Sequence, residues 1–334
     1  MGKHFVANDC TDILTGGPNP GLCTVENTIY GYYPSLGWNA MFIAAFAALA
    51  IPQLIIGTWK KSYFYSYAIA CGCIGEAIGY GGRVMMHTNP YGDTAFTIQI
   101  SCIIFSPAFI AAGIYLTLKH VIRTFGEERS RLPAKYITWI FITCDIISIL
   151  CQAIGGGMAG GAGDNVKTRD NGTNLMIAGI VWQVATLTVF AGLVVDYAMS
   201  TSRSWGIVSP DAKALLGKSS FKSFLVAVAV AFITIFVRCV YRIAEMVGGW
   251  ANPIMRDEGE FIALEGFMIL IAAAALTLFH PGFCFPQPGT FAVKSVSPML
   301  GSERSSQSDL AQNQAEKGIP PHPRFLRVGR QARE

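Results

Sequence analysis

The sequence predicts an all-α polytopic membrane protein, a bundle of seven transmembrane helices. Its 334 residues are 52% hydrophobic and only 14% charged, whereas soluble domains carry about 25% charged residues. Seven apolar stretches approach or exceed the length of about 20 residues that a helix needs to cross a bilayer. Together these observations exclude an ordinary soluble domain and a protein with one simple membrane anchor.

The seven predicted spans follow one another with short connections. The second span has the weakest apolar signal, because Glu76 and Arg83 lie inside it. We expect three parts: an extracellular N-terminal segment 1–35, a transmembrane domain 36–280, and a disordered tail 281–334 that is rich in Ser, Pro, Gln and Arg. The expected spans are 36–58, 63–86, 98–121, 136–158, 174–197, 223–247 and 259–279.

The positions of lysine and arginine in the connections predict the orientation of the bundle. Basic residues are concentrated in the first, third and fifth connections and in the tail, beginning with Lys60 and Lys61. With seven spans, all four of these segments lie on one side of the membrane. The few basic residues on the other side are offset by acidic ones. The pattern therefore predicts an external N terminus and a cytoplasmic C terminus.

Two features of the predicted outer segments suggest covalent modification. Cys10 and Cys23 lie in a stretch rich in turn residues, so an external disulfide is expected, with two free thiols as the alternative. Asn171-Gly172-Thr173 is a glycosylation sequon in the fourth connection, although its closeness to the fifth span would hinder glycan transfer. The cysteines inside the spans and the five scattered histidines do not form a metal-binding pattern, so no metal or cofactor is expected.

Ionisable residues interrupt the apolar spans. An ionised group at the bilayer centre costs roughly 2.5–3.5 kcal/mol, so such groups face the interior of a bundle and mark functional sites by default. The direction of each span places three arginines and three glutamates in the outer half, a nearly neutral set that suggests pairing. The ionisable residues within the spans are Glu76, Arg83, Asp145, Arg238, Arg242, Glu245, Glu260 and Glu265.

Two interpretations of these residues remain open. In the first, they form structural ion pairs that lock helices together. In the second, they line a hydrated polar pocket that receives the head group of a ligand, and the two interpretations can hold together. The candidate pocket comprises Glu76, Tyr80, Arg83, Asp145, Gln152, Arg238, Tyr241, Arg242, Glu245 and Glu265.

Several stretches in order resemble the fungal RTA-like family of lipid-translocating exporters. They include "GEAIGYGGR" in the second span, "CDIISILCQAIGGG" in the fourth, "VRCVYRIAEMVGG" in the sixth and "DEGEFIALEGFMIL" in the seventh. The resemblance implies a seven-helix fungal membrane protein that moves, or confers resistance to, amphipathic lipids or drugs such as sphingoid bases. It also implies a functional role for Glu76, Arg83, Asp145, Gln152, Arg238, Arg242, Glu245, Glu265 and His280.

The chain departs from that pattern at one place. A tyrosine and an aspartate are expected soon after the glutamate of the seventh span, where this chain has "EGFMILIA". A role of those two polar residues in handling ligand or protons is therefore not expected of this chain.

The leading functional hypothesis is a transporter of amphipathic lipids or drug-like amphiphiles, located in the plasma membrane or, alternatively, an endomembrane. "LLGKSS" fails the P-loop spacing, because the first glycine of that motif would fall at Ala212. The alternative is a seven-helix receptor or sensor of a lipid-like ligand. An enzyme is not expected, and a nucleic-acid partner is not expected either, because no concentrated basic face is present.

Overall fold

The computed structural model describes residues 24–284, apart from 163–164, 208 and 251. Regular structure in these described residues is entirely helical. Cys10, Cys23 and nearly all of the predicted tail lie outside the described residues, so the disulfide and the disordered tail stay predictions.

Seven long helices correspond to the seven predicted spans, and short helices connect or follow them. A π-helical segment, Phe261–Phe267, joins α8 to α9 in one continuous helix. The helices are α1 Leu36–Trp59, α2 Tyr63–Thr88, α3 Asp93–Phe125, α4 Ala134–Gly160, α5 Val166–Arg203, α6 Pro210–Gly217, α7 Ser219–Val247, α8 Glu258–Glu260, α9 Met268–Leu278 and α10 Pro281–Cys284.

Six of the long helices are long and apolar enough to cross a membrane. The exception is α2, whose 26 residues are sufficient in length. Its apolar character is weaker because its buried face carries Ser66, Glu76 and Arg83 beside several glycines. A helix whose polar side chains face the bundle needs less apolar surface than one that is surrounded by lipid, so this composition fits its place in the fold. The orientation of the bundle stays a prediction.

The fifth long helix starts earlier than its apolar signal predicts. The side chain of Asn165 caps α5 by accepting a hydrogen bond from the backbone N–H of Thr168 at 3.2 Å. Asn171 therefore lies in the first turns of a helix, and not in the connection where the sequence placed it. The hydroxyl of Thr173 donates to the carbonyl of Arg169 at 3.0 Å and accepts from the indole N–H of Trp250 at 2.8 Å. The hydropathy of the sequence did not indicate this start, because the first residues of α5 are polar. A helix can extend beyond the apolar core of a membrane.

Glycines allow two pairs of helices to approach closely. Between α2 and α3, a Cβ added at Gly75 would lie 2.3 Å from the Ser106 hydroxyl oxygen. Between α4 and α5, a Cβ added at Gly155 would lie 2.6 Å from the carbonyl oxygen of Gly172. Small residues commonly permit such close backbone contact between membrane helices. These contacts leave no room for a side chain at the interfaces.

Gly155→Ala is expected to destabilise the protein by about 1–3 kcal/mol, the usual cost of overpacking. The new methyl group would meet the backbone N of Met176 at 2.7 Å as well as the Gly172 carbonyl, and backbone atoms cannot rotate away. Gly157→Ala is the matched control, because a Cβ at that position meets nothing within 4 Å. Thermal unfolding of both variants in detergent provides the measurement, and equal losses at the two positions would contradict the prediction.

Candidate functional site

The ionisable side chains of α7 and of the π-helical segment meet inside the bundle. Arg238 on α7 donates from Nη2 to Glu265 Oε1 at 2.5 Å and to the backbone carbonyl of Ile103 on α3 at 2.6 Å. Arg238 and Glu265 are 2% and 0% exposed, so neither side chain faces lipid. This ion pair ties three segments of the bundle together.

A second ion pair lies one turn further along α7. Arg242 donates from Nη1 to Glu245 Oε2, and both side chains are buried. Asn252, in the connection after α7, donates to the backbone carbonyl of Glu245 at 2.5 Å and closes the end of the helix. Arg242 and Glu245 are three residues apart on one helix, so their side chains lie on the same face, as the spacing in the sequence predicts.

The π-helical segment carries Glu265 and packs closely against α1. A π-helix is rare, and short π segments inside α-helices occur frequently at functional sites. The next residue, Gly266, packs so tightly that an added Cβ would lie 2.4 Å from the Phe42 ring. On its other side, the Phe42 ring stacks on Tyr80 of α2 with centroids 4.7 Å apart. The π-helical segment thus carries Glu265 and, through Gly266, also packs against the stacked rings of Phe42 and Tyr80.

Glu76, together with the ion pairs of Arg238 with Glu265 and Arg242 with Glu245, forms what we call the cluster, and it is the member without a counter-ion of its own. It is 0% exposed, and neither of its carboxylate oxygens has a hydrogen-bond partner among the described residues. The charged groups that act on it are Arg238, Glu265 and Arg242. Because the two arginines are already paired with Glu265 and Glu245, they do not neutralise Glu76 individually. An acceptor group is thereby left buried among paired charges.

Arg83, two turns further along α2, has a different environment. Its Nε donates to Asn39 Oδ1 at 3.2 Å, and its Nη2 donates to the hydroxyl of Tyr32 at 2.9 Å. The nearest carboxylate is Glu258, at 3.7 Å. The guanidinium also lies 3.9 Å from the centroid of the Phe261 ring, a cation–π contact. Arg83 is therefore held mostly by neutral partners at one end of the bundle.

Residues 24–35, which we call the N-terminal strap, cover that end of the bundle. Tyr30 and Gln99 of α3 exchange hydrogen bonds of 2.9 and 3.1 Å, and the backbone N–H of Ser35 donates to Glu258 at 2.6 Å. Burial raises the pKa of Tyr30 to about 12, and the positive charge of Arg83 opposes this rise. Tyr30 thus stays protonated, and able to donate, at any physiological pH.

Two predicted pocket residues lie apart from this cluster. Asp145 accepts a hydrogen bond from the hydroxyl of Tyr115 at 2.9 Å, and Gln152 donates to the hydroxyl of Ser148 at 2.8 Å and to Gln183 at 3.4 Å. Both belong to α4, which packs against α3 and α5. The structure thus joins these two residues to α3 and α5 by hydrogen bonds and not to the arginines, and the single pocket of ten residues stays a prediction. The sequence indicates that each residue is interior, but it does not show which helix each one faces.

The two tyrosines of the predicted pocket do border the cluster. Tyr80 is 0% exposed, and the charges of Glu76 and Glu265 act on it. Tyr241 is 8% exposed, and the charges of Glu245 and Glu265 act on it. Neither hydroxyl has a hydrogen-bond partner in the part of the chain that the structure describes. The Tyr80 hydroxyl therefore accompanies the unpaired carboxyl of Glu76, and the Tyr241 hydroxyl lies beside the carboxylates of Glu245 and Glu265.

His280 is buried at the far end of α9, away from the arginines. Its Nδ1 accepts from the backbone N–H of Gly282 at 3.0 Å, so Nε2 carries the proton and donates to the Ser66 hydroxyl at 2.8 Å. This tautomer cannot take a proton from Ser66, and the contact holds α2 to the end of α9. Within residues 24–284 as described, no three His, Cys, Asp or Glu side chains are grouped as metal ligands.

Sequence reasoning missed several residues of the site. Asn39 in α1 and Gln99 in α3 are buried polar residues that hold Arg83 and the strap. Each stands alone in an apolar stretch, a signal that could have identified it. Tyr30 and Tyr32 precede the first span, where no periodic pattern marks a buried residue. Their role depends on how the strap folds over the helices.

Comparison with known proteins places this arrangement in a family. The model of the family described as RTA1 like protein matches residues 69–288. The sphingoid long-chain base transporter RSB1 of Saccharomyces cerevisiae (strain Lalvin EC1118 / Prise de mousse) is 33% identical over 288 residues, covering 78% of this chain and 75% of that protein. Protein RTA1 of Saccharomyces cerevisiae (strain ATCC 204508 / S288c) is 25% identical over 281 residues, covering 75% of this chain and 86% of that protein.

A third relative, Protein RTM1 of Saccharomyces cerevisiae, is 30% identical over 205 residues, covering 60% of this chain and 62% of that protein. No solved structure matches the chain. The family match extends from the first half of α2 to beyond α10, and it includes every ionisable residue of the cluster. An all-helical bundle with apolar membrane-spanning helices agrees with that assignment, and the chain belongs to the RTA1-like family of membrane proteins.

Proposed function

We propose that the chain transports amphiphiles with a cationic head group, above all sphingoid long-chain bases, from one membrane leaflet to the other. The observation that carries the proposal is its 33% identity, over 78% of its length, to a protein named as a transporter of these bases. A sphingoid base combines a long alkyl chain with an amino group and hydroxyl groups. Its recognition requires an acceptor for an ammonium ion inside an otherwise apolar protein.

Glu76 supplies such an acceptor. Both of its carboxylate oxygens are buried without hydrogen bonds among the described residues, and an unsatisfied buried acceptor costs free energy. An ammonium ion would satisfy both oxygens with charge-assisted hydrogen bonds, which are roughly twice as strong as neutral ones. The free hydroxyl of Tyr80, on which the charge of Glu76 acts, would serve a hydroxyl group of the same ligand.

The two ion pairs support this role by keeping the surroundings of Glu76 neutral. Arg238 pairs with Glu265 and Arg242 pairs with Glu245, so neither arginine is free to repel a cationic ligand. The same pairs hold α7 against the π-helical segment and α3. The structural and the ligand-binding interpretations of the buried charges therefore apply together, to different members of the cluster.

Access to Glu76 requires movement, because the cluster is buried. The strap is held to the helices by a few polar contacts, so it is the element whose displacement would open the bundle. A ligand that binds the open state better would shift the population toward that state. The alkyl chain remains in lipid while the head group passes through the bundle. The proposal includes an external N terminus, a plasma-membrane location and no chemical conversion of the ligand, and it includes no nucleic-acid partner.

Purified protein reconstituted into liposomes tests the proposal. We expect it to accelerate the movement of tritium-labelled sphinganine between leaflets at least tenfold over protein-free liposomes. The N-acetylated form of the same base, which lacks the positive charge, should move no faster than without protein. Saturable binding of sphinganine without net movement would favour the receptor alternative, and equal movement of the two compounds would contradict recognition by a carboxylate.

A further inference from the structure

Asp145 on α4 is a second buried carboxyl group outside the cluster around Glu76. Its Oδ2 accepts a hydrogen bond from the Tyr115 hydroxyl at 2.9 Å. Its Oδ1 is buried and has no hydrogen-bond partner among the described residues, and the residue as a whole is 4% exposed. Glu265 and Glu245 each pair with an arginine, whereas Asp145 belongs to no ion pair within the described residues. An acidic residue of this kind inside a membrane bundle is a functional site by default.

The surroundings of Asp145 suit an organic ammonium group. The ring of Tyr115 lies with its centroid 5.5 Å from that of Phe141 and 4.7 Å from that of Phe190. Aromatic faces attract ammonium groups through their quadrupole, and a carboxylate adds a charge-assisted hydrogen bond. A hard metal cation such as Ca²⁺ would need six to eight oxygen ligands, and Asp145 with the Tyr115 hydroxyl supplies far fewer.

The site around Asp145 is attached to α3 at a different residue from the cluster. The carbonyl of Ile103 on α3 holds Arg238, and Tyr115, which holds Asp145, is twelve residues further along the same helix. At 1.5 Å per residue, the backbones of the two anchoring residues are about 18 Å apart along α3. Their side-chain partners lie closer together than this, because the charges of Arg238, Asp145 and Glu265 all act on Cys239 of α7. Asp145 therefore has its own anchor on α3, and it approaches the same part of α7 as the pair of Arg238 and Glu265.

We propose that Asp145 and Tyr115 form a second binding site for the ammonium group of a cationic amphiphile. The head group moves between the carboxylates of Glu76 and Asp145 as it crosses the bundle. This inference rests on the proposed transport function and adds to it a second binding site of the same chemistry. With two such sites, the charge of the head group is not left unpaired in the apolar middle of the protein.

Equilibrium binding of tritium-labelled sphinganine to the purified full-length protein tests the second site. With Glu76→Gln, we expect saturable binding to persist at an affinity reduced at least tenfold, because the second site remains. With Glu76→Gln and Asp145→Asn together, saturable binding should disappear. Asn keeps the shape of Asp and its hydrogen bond with Tyr115, so the loss would reflect the missing charge. In liposomes, Asp145→Asn alone should reduce sphinganine movement at least tenfold.

Thr138→Val is the matched control, because the Thr138 hydroxyl donates to the Tyr115 carbonyl across the same helix contact, at 3.4 Å. It should leave binding and movement unchanged, and thermal unfolding of every variant would show that each is folded. Equal saturable binding by Glu76→Gln with and without Asp145→Asn would overturn the second site while leaving the proposed function intact. A wild-type protein that neither binds nor moves sphinganine would overturn both.

Discussion

Glu76→Gln is expected to reduce the movement of a sphingoid base at least tenfold without any loss of folded protein. The amide of Gln has the shape of the carboxylate but no charge, so it loses the attraction to an ammonium ion. A tenfold change corresponds to about 1.4 kcal/mol, and a charge-assisted hydrogen bond in a buried site is worth at least that much. Removing an unpaired buried carboxylate also relieves its desolvation cost. We therefore expect unfolding temperatures equal to or above that of the wild type.

This combination of lower activity and unchanged or higher stability is the signature of a residue kept for function. The measurement is sphinganine movement in liposomes beside thermal unfolding in detergent. Glu127→Gln is the matched control, since Glu127 pairs with Arg123 at the half-exposed end of α3 and should affect neither quantity. Wild-type movement by Glu76→Gln would contradict the assignment, and so would a loss of movement that merely follows a loss of folded protein.

Arg238→Leu is expected to cause the largest loss of stability, about 3–5 kcal/mol. It leaves the buried carboxylate of Glu265 without its cation and the carbonyl of Ile103 without its donor. The cost arises from the uncompensated charge that remains. The removed arginine matters less, because a buried ion pair as a whole contributes little net stability.

Arg238→Leu combined with Glu265→Leu should therefore recover most of the stability lost by the single variant. Thermal unfolding and the yield of folded protein measure both. Arg131→Leu is the control for loss of an exposed arginine, because its ion pair with Asp196 is exposed to solvent and should contribute little to stability. A double variant as unstable as Arg238→Leu alone would show that the arginine contributes by packing and not by neutralising Glu265.

The strap and the π-helical segment could not be predicted from the sequence. Tyr30 and Tyr32 lie in a short segment without periodicity, and their burial depends on contacts with Gln99 and Arg83 from distant parts of the chain. A π-helix has hydrogen bonds between residues i and i+5 instead of i and i+4. This difference of one residue cannot be recognised in the sequence of an apolar segment. Glu265 was identified as interior, but its position opposite Arg238 follows from that local widening.

The sequence by itself determined that this is an all-helical membrane protein of the RTA1-like family, and that most of the ionisable side chains within its spans are interior; Glu260 is the exception and is exposed. Hydropathy and helical period suffice for that, because each depends on a single helix. Only the tertiary structure decided the partners: Glu76 is left without a counter-ion, and Asp145 and Gln152 lie apart from the arginines. The partner of a side chain depends on the rotation and the depth of each helix relative to its neighbours. The glycine contacts and the ion pairs between helices set these together, so no single segment of the sequence encodes them.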